Sequence, residues 1–288
     1  MPNVAVITDS NSGINQAEAA RLGIHVVPMP FTINGTDYLE DINLTQEEFY
    51  EKLSDGADVK TTMPAPGTLL DLWNEVLKTY DEIVYIPMSS GLSGSMQAAR
   101  VLAEDFDGRV EVVDNQRISV TQRMSVLDAM ALAEKGKNAK DIREQLEIHG
   151  LHSSIYIMVD TLHYLKKGGR LTPAVAAIGT LLHIKPVLQI QGERLDAFAR
   201  ARTVTQAKKI ILAAIADDIE TRFGGMEKGN FEIAAAYTYD TAGAAEWKKE
   251  IEAHFPGHHV HMDPLSLSVA CHIGPGAIAA TVTEQLAR

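Results

Sequence analysis

The chain has 288 residues, of which 45% are hydrophobic and 22% charged, and 38 acidic against 26 basic side chains give a net charge of −12. That balance belongs to an ordinary globular protein with chain enough for one or two cores. It excludes nonspecific nucleic-acid binding and adhesion to an anionic membrane surface, both of which need basic faces against phosphate.

The single Cys271 excludes an intramolecular disulfide and fits a reducing compartment. The first ten residues lack the basic start and long apolar stretch of a signal peptide, and no apolar run approaches the ~18 residues of a membrane span. The expected location is the cytoplasm.

In chain order, Val4–Thr8 reads as a buried strand running into the polar loop Asp9–Gly13, and Asn15–Leu22 as a helix. Ile24–Val27 is a second short strand. Phe31–Tyr38 carries an Asn34-Gly35 hairpin signal. Thr45-Gln46-Glu47-Glu48 forms a capping box opening a helix to about Leu53. Lys60–Gly67 reads as a loop before a helix over Thr68–Thr79. Glu82–Ile86 is a buried strand, Ser95–Glu104 a helix, Val110–Val113 a strand, and Val120–Glu134 and Ala139–Glu147 two further helices. Strands alternating with helices imply a parallel or mostly parallel sheet covered on both faces. Ligands of such sheets lie beyond the carboxyl ends of the strands, where Ser10, Ser93 and Asp114 fall.

The pattern shifts near residue 150. Ser153–Val159 is a strand, Thr161–Lys167 a helical turn, and Ala174–Leu182 a helix rich in small residues. Ile184–Ile190 and Arg194–Phe198 form an antiparallel hairpin around Gln191-Gly192-Glu193. A long helix covers Val204–Arg222. Phe231–Tyr237, Ala242–Ala253 and His258–Met262 read strand, helix, strand, and Gly274-Pro275-Gly276-Ala277 opens a final helix. Two domains are expected, an α/β domain over 1–152 and an α+β domain over 153–288, with a cleft between them.

The candidate chemistry centres on Ser89-Ser90-Gly91-Leu92-Ser93-Gly94-Ser95, which joins a strand to a helix. Unpaired amides and the positive end of a helix dipole make such a loop a natural anion cradle; the alternative is a plain turn whose serines cap the helix. His254, His258, His259 and His261 resemble a metal cluster, but Pro256 and Gly257 break the helix that would align them and no Cys or Asp completes a ligand set, so no metal is expected. Ser93 with His272 could suggest a hydrolase, yet a nucleophile elbow needs glycine where Ser95 stands. Lys166-Lys167-Gly168-Gly169-Arg170 is a phosphate loop or a basic turn at a helix end; no nucleotide fingerprint is present and no cofactor is expected. Asp9 and Asp114 could pair as acids or merely bind loop amides. His163 and His183 are expected to be packed structural residues.

Seven stretches taken together resemble the DegV family of bacterial fatty-acid-binding proteins. They are Ile7-Thr8-Asp9-Ser10, Thr61-Thr62-Met63-Pro64, the loop Ser89–Ser95, Asp160-Thr161-Leu162 through Leu165–Arg170, Leu182–Leu188, Arg202-Thr203 and His272–Ala277. The resemblance implies a two-domain DegV-type (EDD) fold: an α/β N-terminal domain with a mostly parallel sheet and a smaller α+β C-terminal domain, with a long-chain fatty acid between them. It implies that Thr61, Ser93 and His272 hydrogen-bond the carboxylate, with Thr62, Gly94, Ile273 and Gly274 adjacent. Such a set of neutral donors leaves the carboxylate oxygen available for phosphorylation. A sixteen-carbon tail buried at ~0.8 kcal/mol per methylene supplies on the order of 12 kcal/mol, so the tail gives affinity and the polar groups give orientation. The resemblance further implies that the protein is not itself an enzyme. Arg170 and Arg202 would face a separate ATP-dependent fatty acid kinase that phosphorylates the bound acid. The competing reading is a hydrolase, or another enzyme acting on a carboxylate or acyl ester in the same cleft. In place of the family's usual Gln-Pro-Ser after the paired hydroxyls, this chain has Met63-Pro64-Ala65, which removes polar groups and puts a flexible thioether at the site.

Overall fold

The computed structural model describes residues 2–178, 184–227 and 229–286. In chain order its elements are β1 (Val4–Asp9), α1 (Gln16–Leu22), β2 (His25–Val27), β3 (Pro30–Ile33), β4 (Thr36–Leu39), α2 (Gln46–Ser54), β5 (Val59–Thr61), α3 (Pro66–Val76), β6 (Glu82–Ile86), α4 (Ser95–Ala103), β7 (Val110–Val112), α5 (Val120–Glu134) and α6 (Ala139–Ile148). The second half holds β8 (Ser153–Met158), α7 (His163–Lys167), α8 (Pro173–Ile178), β9 (Lys185–Ile190), β10 (Leu195–Ala201), α9 (Val204–Arg222), β11 (Phe231–Tyr237), α10 (Thr241–His254), β12 (His261–Pro264), α11 (Leu267–Ile273) and β13 (Ile278–Glu284).

These elements form two compact units of nearly equal length. One comprises the chain up to Thr45, Asp58–Leu151 and the residues from Leu286; the other comprises Gln46–Ala57 and His152–Gln285. The excursion carrying α2 therefore belongs with the second half of the chain, although its neighbours on both sides belong to the first. Within the second unit Tyr50 packs its ring 4.9 Å from that of Tyr239, and Gln46 Nε2 donates to Leu265 O at 3.3 Å.

The first unit is built on an all-parallel sheet in the order β2-β1-β6-β7. Successive side chains of a strand point to opposite faces, and both faces here are apolar. Val4, Val6, Val84 and Ile86 pack with Ile142 and Leu146 of α6 on one face, while Ala5, Ile7, Ile83 and Tyr85 pack with Leu69 and Trp73 of α3 and Met96 of α4 on the other. Asn15 caps α1 by accepting Glu18 N at 2.8 Å, and Asn138 caps α6 through Asp141 N at 2.7 Å. A small antiparallel sheet, β4-β3-β5, stands beside this layer. Its hairpin turns at Asn34 and Gly35, both at positive φ, as a primed turn requires. Thr61, expected in a loop, is the last residue of β5 opposite Phe31, because the second edge of β3 takes Val59–Thr61 as partner.

The second unit carries a six-stranded sheet, β10-β9-β8-β13-β11-β12, antiparallel except for the pair β11–β12. Its core gathers Ile211, Ile215 and Ile219 of α9 with Trp247 and Ile251 of α10 against Tyr156, Ile233 and Val282 of the sheet. The expected final helix is instead β13, at the centre of this sheet. Ala279 and Ala280 favour a helix in isolation, but both neighbours pair fully with this segment, and the alanines let Trp247 approach closely enough to donate to Ala279 O at 3.1 Å. The glycine-rich turn thus links α11 to a strand. The strand expected from His258 begins at His261. Of the helix expected over Ala174–Leu182, Pro173–Ile178 is described, and Leu182 and His183 lie outside the described residues. No described helix is long and apolar enough to cross a membrane.

Candidate functional site

In the first unit the chain leaves β1 for β2 on one side and reaches β6 on the other, so the loops after β1 and β6 lie at the switch point of the sheet. Asp9 ties the two loops together. Its fully buried carboxylate accepts Met88 N at 2.9 Å, Asn11 N at 3.0 Å and Gln122 Nε2 at 3.0 Å. Burial pushes this carboxyl above its ordinary value, and the hydrogen bonds oppose that rise. Gln122 also donates to Thr8 Oγ1 and Ile86 O, both at 3.1 Å. Ser10 donates to Glu40 Oε2 at 2.8 Å and accepts Met29 N at 3.1 Å. Asp9 therefore takes the role of binding loop amides, and Ser10 is consumed by its own surroundings.

The Ser89–Ser95 loop is held from within. Ser89 N donates to Arg117 O at 2.9 Å, Ser93 N donates to Ser89 O at 3.2 Å, and Ser93 Oγ accepts Ser95 N at 3.2 Å. Ser93 thus caps the entry to α4 through its lone pair, which leaves its hydroxyl hydrogen to point elsewhere. Ser95 Oγ is buried without a hydrogen-bond partner. The Thr61–Met63 segment reaches the same helix start: a Cβ built on Gly94 would lie 3.7 Å from Met63 Cε. Half-buried Thr61, at the end of β5, and half-buried Ser93 thus belong to segments that touch. Thr62 is exposed and donates to Pro30 O at 3.4 Å. Met63 is 47% exposed over Gly94, a large apolar cover for a polar loop.

In the second unit the relevant residues gather around α7 and α11. His272 lies in the last turn of α11, half-buried, followed by buried Ile273 and by Gly274 at φ +81°. Thr238 holds the turn after it, donating to Gly274 O at 2.8 Å and accepting Ala277 N at 2.9 Å. Gly274 has no room for a side chain, since a Cβ there would sit 2.2 Å from Tyr164 Cδ2. Burial, and then the Arg170 guanidinium, push the His272 imidazole down to about 4, so it is neutral at physiological pH. Arg170 is exposed and donates through Nη1 to Gly168 O at 2.8 Å. Arg202 is also exposed, just before α9, with its amide donating to Gln206 Oε1 at 2.8 Å.

Other expectations resolve individually. The four histidines near the end of α10 and the start of β12 each have a separate partner: His261 Nε2 meets Asp263 at 2.7 Å, His259 meets Glu252 at 3.5 Å, His258 stacks on Phe231, and His254 packs on Phe255. His163 is exposed beside Tyr164 rather than packed in a core, because its apolar neighbours Leu162 and Leu165 share other faces of a helix only five residues long. Three residues that shape the site escaped sequence reading. Gln122 acts through three contacts of its side-chain amide and Thr238 through two of its hydroxyl, none of which a local pattern announces. Tyr164 matters only because a distant glycine lies under its ring.

The family model describing uncharacterised proteins of the DegV family matches residues 3–285. A DegV domain-containing protein of Listeria innocua is 30% identical over 282 residues, covering 96% of this chain and 97% of its own. A DegV family protein of Thermus thermophilus, solved in a study of its fatty acid binding, is 32% identical with a TM-score of 0.89 over 99% of this chain and 100% of its own. DegV of Bacillus subtilis, described as a fatty acid binding protein, is 28% identical with a TM-score of 0.88 and the same coverage.

Proposed function

The chain belongs to the DegV family, and from that membership we propose that it binds a long-chain fatty acid non-covalently and presents it to a separate ATP-dependent kinase. The observation that carries this reading is the likeness, over 99% of the chain, to two proteins described as binding fatty acids. The carboxylate is held by the hydroxyls of Thr61 and Ser93 and the imidazole of His272, with Thr62, Gly94, Ile273 and Gly274 as neighbours. The chemistry of the donors supports this. A neutral imidazole offers one N–H, and Ser93 already accepts from Ser95, so its own hydrogen is free to be donated.

Three neutral donors orient a carboxylate without the tight ion pair that would quench its oxygen as a nucleophile. The kinase supplies nucleotide and transfers the γ-phosphoryl group to that oxygen, giving an acyl phosphate and the nucleoside diphosphate. Exposed Arg170 and Arg202 are the partner-facing cations in a chain whose net charge is −12. In this scheme the protein performs no turnover alone, and Ser93 serves as a donor rather than a nucleophile.

Native mass spectrometry of the purified protein, followed by extraction and identification of small molecules, tests the reading. A bound long-chain fatty acid that is lost in the Ser93→Ala, His272→Ala double variant is the expected result. A protein that is empty and also refuses added fatty acids would overturn it.

A further inference from the structure

Exposure separates the methionines of this chain as targets for oxidation. Met29, Met88, Met96, Met124 and Met158 are buried, and Met226 is 37% exposed. Met63, at 47%, is the most exposed methionine among the described residues. The single Cys271 is buried, with Sγ donating to Ser268 O at 3.1 Å, so no exposed thiol competes for an oxidant. Met63 also stands where a change of polarity matters. Its Cε lies 3.7 Å from the position that a Cβ on Gly94 would take, at the N-terminus of α4. The first turn of a helix presents backbone N–H groups without intrahelical acceptors, at the positive end of the helix dipole. Beside them are the Ser93 hydroxyl hydrogen, left over because Ser93 Oγ accepts Ser95 N, and the buried Ser95 Oγ, which has no hydrogen-bond partner. A thioether is a weak acceptor and leaves all of these donors to a ligand.

We propose that Met63 is an oxidation switch on the Ser89–Ser95 loop, in which conversion to the sulfoxide places an acceptor oxygen over the start of α4. The inference rests on the fatty-acid reading and deepens it by naming a control on that site. The oxidant is a hydroperoxide such as hydrogen peroxide. The thioether sulfur attacks one peroxide oxygen; the S–O bond forms as the O–O bond breaks, and the proton on the transferred oxygen passes to the departing hydroxide. Sulfur gives up two electrons, the peroxide takes them, and the products are methionine sulfoxide and water. The sulfoxide oxygen then accepts from the Ser93 hydroxyl and the first amides of α4, the donors that a carboxylate needs. An amide side chain here would bring N–H donors of its own, whereas a sulfoxide only accepts, so oxidation takes donors away and returns none. A methionine sulfoxide reductase reverses the step, with a dithiol supplying the two electrons.

The test treats the full chain with graded hydrogen peroxide, maps sulfoxide by peptide mass spectrometry, and measures hexadecanoate affinity before and after. Met63 is expected to oxidise ahead of Met226, and affinity to fall about tenfold as Met63 converts, the share of one hydrogen bond to a charged group. A methionine sulfoxide reductase with dithiothreitol restores it. Met63→Leu loses the response to peroxide relative to its own untreated sample, whereas Met226→Leu keeps it. Met63 resisting oxidation while Met226 converts, full affinity with Met63 oxidised, or an undiminished response in Met63→Leu would each overturn the proposal. If the untreated wild type binds no hexadecanoate, the fatty-acid reading fails. The switch is then judged by hydrogen exchange of the Gly94–Gln97 amides: slower exchange after peroxide in the wild type but not in Met63→Leu supports it, and no change refutes it.

Discussion

Replacing Asp9 should separate two costs in a predictable ratio. In Asp9→Ala the amides of Met88 and Asn11 lose their acceptor inside a fully buried site, whereas Gln122 Nε2 keeps Thr8 Oγ1 and Ile86 O. Two orphaned buried donors at ~1–3 kcal/mol each give a loss of about 4 kcal/mol. Asp9→Asn keeps one carbonyl oxygen for Asn11 N and Gln122 but turns an NH₂ toward Met88 N, so one donor is orphaned and the loss is about 2 kcal/mol. Urea unfolding measures both, read through Trp73 of the first unit in a Trp247→Phe background. The titration gives an independent check. Burial raises the folded carboxyl above 3.8, so the folded state holds its proton longer than the unfolded state does. The stability this confers is present below 3.8 and fades as pH climbs through the raised value, a slope that Asp9→Asn should remove. Equal losses in the two variants would refute the count of orphaned donors. Losses under ~0.5 kcal/mol in both would show that Asp9 does not clamp the switch-point loops.

Two further outcomes concern the second unit. His272 titrates near 4 when folded and near 6.5 when unfolded, so acidification protonates the unfolded state first; stability should fall between pH 6.5 and about 4 by on the order of 2 kcal/mol. His25, also depressed by burial, acts in the same direction, so urea midpoints of His272→Gln against wild type across this window isolate the His272 share. Thr238→Val keeps the shape of a buried side chain but strands Ala277 N and Gly274 O; it should cost about 2 kcal/mol by urea unfolding and weaken hexadecanoate binding, while Thr238→Ser stays within ~1 kcal/mol.

The parallel sheet was legible because its two central strands are buried on both faces and therefore read as continuous apolar runs, as Val4–Ile7 and Ile83–Ile86 do. The same logic fails for β13. A central strand crowded by a tryptophan needs small residues, and small residues are helix formers, so Ala279 and Ala280 speak for the wrong element until their partners Ala235, Ala236, Tyr156 and Ile157 are known. The allegiance of α2 was illegible for a related reason: nothing in Gln46–Ser54 differs from any amphipathic helix, and it is the packing of Tyr50 on Tyr239 and the bond from Gln46 to Leu265 that tie it to the second unit.

The candidate site divides along the same line. Ser93 is conspicuous locally, because a Ser/Gly loop between strand and helix reads as an anion cradle or a capped turn. Gly168 does not, because its reason for being glycine is an imidazole from a helix far along the chain. Local grammar explains Gly169, whose left-handed cap any helix end could want. A second glycine beside it, at a φ open to every residue, is the mark of a neighbour that approaches too closely for a side chain. That distinction extends to Gly274, where a left-handed φ and the ring of Tyr164 demand glycine at once. Gly168 holds clear the space that the His272 ring fills, and Gly274 the space under the Tyr164 ring. The imidazole is therefore placed by backbone that makes room for it, and the cost of a small substitution at either glycine should appear first in ligand affinity.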